Sequence, residues 1–282
     1  MSVTFSKSLQ PSRRDLRFNL DKKMVSTWNK GEPHLSHFMN TLSLFFPSGE
    51  RFFIDSVRNY RSRVMDPELQ KAVRAFIGQE AMHGREHEEY NEALFHAAPV
   101  SEDVERLATY LLGVMQKSLP KYWQLSLTIA LEHLTAILAD ALLSEPRILE
   151  NCDERYAALW NWHALEETEH KAVAFDVWQT IMDRRDPHAY LVRVSALLIA
   201  TMLFWATSFS VYAAVLKQEG VLLKGSGWRA LGHYTVGRVG LLRKVVKPWF
   251  GYFKPGFHPW DHDNRHFLER LDVLESKIGQ FA

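Results

Sequence analysis

From Ser36 onward, apolar residues recur at three- and four-residue intervals, and no stretch sustains the alternation of a half-buried strand. The pattern predicts an all-α fold. Residues 1–35 are polar and irregular, with Pro11, Pro33 and an Asn29-Lys30-Gly31 turn signal, and read as an arm laid over the body. A first helical segment runs through Leu44 to Arg61 with Pro47 and Gly49 inside it, which predicts a break or kink just before Glu50. Asp66-Pro67 supplies a cap and a proline at the first helical position, opening a long helix to about Phe95. Ser101 is the capping candidate for a helix to about Lys117, and Pro120 starts another that ends near Ser144. Asp153 opens a helix to about Asp183, after which Asp186-Pro187 repeats the cap-and-proline signal.

Residues 194–216, VSALLIATMLFWATSFSVYAAVL, carry no charge. Such a run is long enough to cross a bilayer, yet a helix apolar on all sides and rich in Ala, Ser and Thr also packs tightly inside protein. Residues 217–254 then hold Lys217, Lys224, Arg229, Arg238, Arg243, Lys244, Lys247 and Lys254 against one acid, Glu219. Trp228, Tyr234, Trp249, Phe250, Tyr252 and Phe253 are interleaved with them, the composition of a membrane-interface element. The expected organisation is an arm (1–35), a helical bundle (36–185) and a C-terminal helical extension (186–282) packed on the same domain.

Two cassettes carry the candidate chemistry: Glu80-Ala-Met-His83, and His163-Ala-Leu-Glu-Glu167-Thr-Glu-His170. Glu and His three residues apart on a helix point the same way from neighbouring turns. At about 100° per residue, His163 and His170 lie within ~60° of Glu167, and His83 and His87 lie within ~60° of Glu80. Lone glutamates precede each cassette: Glu50 in PSGERFF and Glu132 in TIALEHLTAIL, where an unpaired carboxylate among apolar neighbours is costly. Lone Glu, Glu-x-x-His, lone Glu, Glu-x-x-His on four successive helices is the ligand order of ferritin-like di-iron and di-manganese bundles. That order needs one long crossover, and residues 96–120 are long enough to provide it.

The bulk properties narrow the alternatives. The 282 residues are 46% hydrophobic and 24% charged, ordinary for a chain that buries a core. A net charge of +1 argues against a general nucleic-acid binder, and Cys152, the one cysteine, excludes a disulfide framework or a thiolate metal site. The N-terminal residues lack the apolar run of a secretory signal, so a cytoplasmic location is expected, with membrane association through residues 194–254. Imidazole and carboxylate without thiolate suit iron first, then manganese or a manganese/iron pair, with zinc behind them.

The set Glu50, Glu80, His83, Glu132, His163, Glu167 and His170 resembles the ligands of the di-iron p-aminobenzoate N-oxygenases, over about residues 36–180. That resemblance implies a third histidine one turn before the second Glu-x-x-His, where His163 stands. The stretches SLFFPSGERFF, QEAMHGREH, WNWHALEETEHKAVAFD and FHPW also resemble a bacterial family labelled predicted metal-dependent hydrolases. By analogy with ferritin-like sites, Gln79 and Glu166 stand where partners of metal-bound imidazoles are expected, with Asp140 and Asp176 as alternatives. His87 is either an additional ligand or an outer hydrogen-bonding residue. Glu166, Glu169, Glu86 and Glu88 also read as solvent-facing charges, and His133 points about 100° away from Glu132.

These readings describe an all-α, ferritin-like four-helix bundle with a di-metal site plus additional C-terminal helices. The expected function is a non-haem di-iron O₂-activating oxygenase or oxidase acting on a small organic or lipid-like substrate. The di-metal centre itself would be the catalytic group, with no separate acid or base. A di-metal hydrolase is the first alternative and an iron-binding, ferroxidase-like protein the second. The expected partners are O₂, an external electron donor, a membrane surface and a second copy in a homodimer, with no nucleic acid.

Overall fold

The computed structural model describes residues 9–183 and 186–281; the first eight residues of the predicted arm, residues 184–185 and residue 282 lie outside them. The described residues form helices α1 (Pro33–Ser43), α2 (Phe46–Arg58), α3 (Pro67–Ala97), α4 (Val100–Ser118), α5 (Lys121–Leu143) and α6 (Glu154–His170). They continue through α7 (Val173–Gln179), α8 (Pro187–Gln218), α9 (Gly225–Thr235), α10 (Leu241–Gly251) and α11 (Leu271–Ile278), with no strand among the described residues. The fold is all-α.

Aspartates set three of the starts. Asp66 accepts from Glu68 N and Leu69 N, Asp153 from Arg155 N and Tyr156 N, and Asp186 from His188 N, each satisfying donors that a helix start leaves free. Elsewhere the boundaries differ from the sequence expectation. The break in the first segment falls at Leu44-Phe45, not just before Glu50. Pro47 sits in the first turn of α2, where its missing N–H is no loss, so Glu50 lies on a continuous helix. Helix α1 begins at Pro33 within the predicted arm, capped by Glu32. Ser101 lies inside α4 instead of capping it, its hydroxyl donating to Ala98 O at 2.6 Å. The helix expected from Asp153 to Asp183 stops at His170, and the turn at Lys171-Ala172 buries the Lys171 side chain. Its Nζ donates to His262 O and Asn264 Oδ1, both at 2.7 Å.

Helices α2, α3, α5 and α6 pack in a ring, α2 against α3 and α5, and α6 against α5 and α3. Two apolar cores flank the ring. One gathers Trp28, Phe38, Tyr90, Tyr156 and Trp162; the other gathers Phe52, Phe76, Leu125, Ile129, Phe175 and Trp178. The crossover α4 lies against α2 and α8. Helices α5 and α8 are both apolar enough to cross a membrane by composition, but the most apolar stretch of α5 is 78% buried and that of α8 only 28%. Helix α5 is therefore a core helix. Helix α8 packs one side on α1, α4 and α5 and leaves the other uncovered, so the expectation of buried packing holds for only part of it.

Candidate metal centre

Seven side chains from the four ring helices converge between the two cores: Glu50 from α2, Glu80 and His83 from α3, Glu132 from α5, and His163, Glu167 and His170 from α6. All seven are buried. Their donor atoms form three overlapping groups, Glu50–His83–His163, Glu80–Glu132–His170 and Glu80–His83–Glu167, with atoms in each group within 4.8 Å of one another. Glu80 and His83 each belong to two of these groups. His170 Nε2 stands 3.0 Å from Glu80, 3.6 Å from Glu167 and 3.7 Å from Glu132, while His163 Nε2 stands 3.3 Å from Glu167.

Each imidazole turns one nitrogen to the cluster while its other nitrogen is held in a hydrogen bond outside it. Gln79 Nε2 donates to Glu169 (2.6 Å) and Ser12 O (3.1 Å), so its Oε1 is left to accept from His170 Nδ1 at 3.0 Å. His83 Nε2 donates to the Glu166 carboxylate at 3.0 Å. A longer relay fixes His163. Asn91 Nδ2 donates to Ser43 O, so its Oδ1 accepts from the Ser43 hydroxyl at 2.7 Å. That hydroxyl accepts from His87 Nδ1 at 2.8 Å, and His87 Nε2 then accepts from His163 Nδ1 at 2.9 Å. Both ring nitrogens of His87 are engaged in hydrogen bonds, and neither is turned to the cluster. This donor-to-acceptor arrangement is how metal-bound imidazoles are oriented. Trp162, Phe46 and Phe76 wall His83, His163 and His170 at ring-centroid distances of 4.7, 4.5 and 5.0 Å.

The donor set passes a direct test of fit to a metal. Both carboxylate oxygens of Glu50, Glu80 and Glu132, together with His83 Nδ1, His163 Nε2 and His170 Nε2, are buried with no hydrogen-bond partner. Native interiors leave few such atoms, and these face one another. Without cations, burial pushes Glu50 and Glu132 well above the usual carboxylate range, with the charges of Glu80 and Glu167 adding to it. Burial also raises Glu80, although His170 opposes it, and it holds His83 and His87 well below the ordinary imidazole value. Burial likewise raises Glu167, but His163 and His170 outweigh it and keep this carboxyl well below the usual range. Divalent cations would satisfy every orphaned atom at once.

Several surrounding residues were not legible in the sequence. Arg14, from the arm, reaches Glu169 at 2.8 Å, Glu166 at 3.1 Å and Glu275 of α11 at 2.5 Å. Glu166, Glu169 and Glu86, read above as solvent charges, are buried, and only Glu88 of that group is exposed. Burial lifts Glu166 to about 7 against the pull of Arg14. Thr135, one turn after Glu132, donates to Glu167 Oε2 at 2.6 Å. At Gly84 an added Cβ would stand 3.3 Å from Glu50 Oε2, so the missing side chain leaves room for that carboxylate. Asp140 and Asp176, the alternative imidazole partners, accept from His262 and His258 of the C-terminal tail and not from the cluster. His133 faces Tyr252 and Phe257, away from the site.

A cavity of about 210 Å³ ends on Glu50 and Glu167. Its wall is formed by Phe and Leu residues of α2 and α5 and by Leu111, Met115, Leu203 and Phe204 of α4 and α8, with Ser48, Thr135 and Thr207 as the uncharged polar members.

A family model described as predicted metal-dependent hydrolase matches residues 12–263, a span that includes all seven converging residues. The chain belongs to that family. No curated protein and no solved structure matches it.

Proposed function

We propose that, within this family, the chain is a ferritin-like, non-haem di-metal carboxylate enzyme that uses O₂ to oxidise an apolar substrate. The observation that carries this reading is the wall of the cavity ending on Glu50 and Glu167, which offers hydrocarbon and almost no hydrogen-bond donor. A charged phosphate would find no cationic side chain and few donors along this wall. An oxidised C–H or amine group needs instead a dry pocket and a redox-active centre.

Glu50, Glu80, Glu132, Glu167, His83, His163 and His170 would hold two ions, iron being the best match to this oxygen- and nitrogen-rich set. Iron would supply reduction of O₂, and four carboxylates favour that by stabilising added positive charge. The chain's own residues do the rest. Gln79, Glu166 and the His87–Ser43–Asn91 relay lock the imidazoles. Thr135 holds one Glu167 oxygen and leaves the other toward His163 and His170. Phe46, Phe53, Leu127 and Leu131 exclude bulk water and hold the substrate by apolar contact. Electrons come from an external donor.

Anaerobic protein loaded with Fe(II) and mixed with O₂-saturated buffer should consume O₂ and develop a transient visible absorption band. A hydrolase is the second reading, favoured by the family description; there the ion pair would lower the pKa of a water molecule. Zinc-supported ester or phosphoester cleavage, with no O₂ uptake at any iron loading, would establish it in place of the first.

A further inference from the structure

Three helices, α4, α8 and α10, turn apolar residues outward, and the first two also line the cavity. On α8, Leu191, Leu198, Met202 and Phe209 recur at seven-, four- and seven-residue intervals, a single stripe. All four are exposed, Met202 by 64%. On α4, Leu107, Tyr110, Leu111 and Val114 form an equivalent stripe, with Tyr110 68% exposed. On α10 the outward face alternates charge and hydrocarbon: Arg243, Val246, Lys247 and Phe250.

The three faces are contiguous. At about 100° per residue, Thr201 and Leu203 lie on opposite flanks of the Met202 stripe. Leu203 shares the cavity wall with Leu111 and Met115 of α4, while Thr201 accepts from Trp249 Nε1 of α10 at 3.0 Å. Helix α8 therefore runs between α4 and α10, and α4 and α8 together form one side of the cavity wall. An apolar surface of this extent marks an interaction site.

Charge selects the occupant. Lys217, Lys224, Arg229, Arg238, Arg243 and Lys247 are exposed over α8–α10. The one acid of residues 217–254, Glu219, is turned inward to His37 and Ser26, at 2.8 and 2.5 Å. Basic residues beside an exposed hydrocarbon stripe match an anionic bilayer, whose headgroups take the charges while the acyl region takes the side chains. Because α8 packs along its length on α1, α4 and α5, only one side of it is free to meet such a surface.

We infer that α4, α8 and α10 dock on an anionic membrane and that a bilayer-dissolved, apolar substrate passes between α4 and α8 to the Glu50–Glu167 end of the cavity. The substrate part rests on the oxidative reading above; the docking surface does not. Co-sedimentation of the purified full chain with vesicles tests it, comparing phosphatidylcholine alone with phosphatidylcholine containing about 30% phosphatidylglycerol. Binding is expected to the anionic vesicles and to weaken with salt. Neutralising two basic residues in R243Q/K247Q should weaken it about thirtyfold, from roughly five- to sixfold per charge at the surface. Met202→Glu, at an exposed position, should abolish it with the helical circular dichroism unchanged. Absence of binding, binding indifferent to Met202→Glu, or a solution dimer that Met202→Glu dissociates would overturn the inference. Docking without O₂ uptake by the iron-loaded protein would leave the membrane face standing and remove only the substrate claim.

Discussion

Replacing Glu132 by leucine should stabilise the metal-free protein and remove most of the stabilisation that added metal supplies. Glu132 is 2% exposed, and neither carboxylate oxygen has a hydrogen-bond partner. A buried polar group left unsatisfied costs about 1–3 kcal/mol, and leucine has nearly the same volume without that cost. For 282 residues at ~2.1 cal/mol/K each, the unfolding entropy near the midpoint is about 590 cal/mol/K, so 1 kcal/mol corresponds to ~1.7 °C. The metal-free variant should therefore melt about 2–5 °C above the metal-free parent. Added Mn(II), a redox-quiet probe, at a hundred times its Kd should raise the parent by ~2.7 kcal/mol, or about 4–5 °C, and the variant by much less. Differential scanning calorimetry with and without metal reads both effects. A metal-free variant that melts lower than the parent, with the Mn(II) increment intact, would mean that Glu132 serves the fold and not an ion.

Other outcomes follow from the same geometry. Gln79→Leu removes the acceptor that orients His170 and should weaken metal affinity about 10- to 100-fold, the usual effect of losing such a partner, in competition titration against a chelator. His87→Phe should do the same through His163; unchanged affinity in both would show that the relay is incidental. Arg14→Ala removes the guanidinium paired with the buried Glu166 and Glu169 and should cost about 3–5 kcal/mol in urea unfolding, whereas a loss below ~1 kcal/mol would make the arm dispensable. Burial pushes the Cys152 thiol up to about 11. Little thiolate then exists at neutral pH, so alkylation of native protein should be slow at pH 8, accelerate as pH rises toward 11, and become fast on unfolding.

Much of the candidate site was readable because the residues that converge there obey local rules. Glu-x-x-His spacing puts two donors on one helix face whatever else the chain does, and Glu132 stood out because its neighbours are hydrocarbon. Helix starts at Asp66, Asp153 and Asp186 were equally local. What escaped depends on distant chain. Glu166 and Glu169 looked like surface charges because the arginine that neutralises them lies some 150 residues earlier, in an arm without periodicity. The role of His87 hangs on Ser43 and Asn91, neither of which carries a motif. The stop after His170 follows from Lys171 being held by the C-terminal tail. Hydropathy grouped α5 with α8, and only packing separated the buried helix from the half-covered one.

Anomalous diffraction from crystals of the iron-reconstituted protein tests the central claim most directly. Two iron peaks about 3.5–4 Å apart are expected among α2, α3, α5 and α6, with ligand atoms from the seven converging residues at roughly 2 Å. A single peak, no peak, or iron bound away from Glu80 and Glu167 would contradict it.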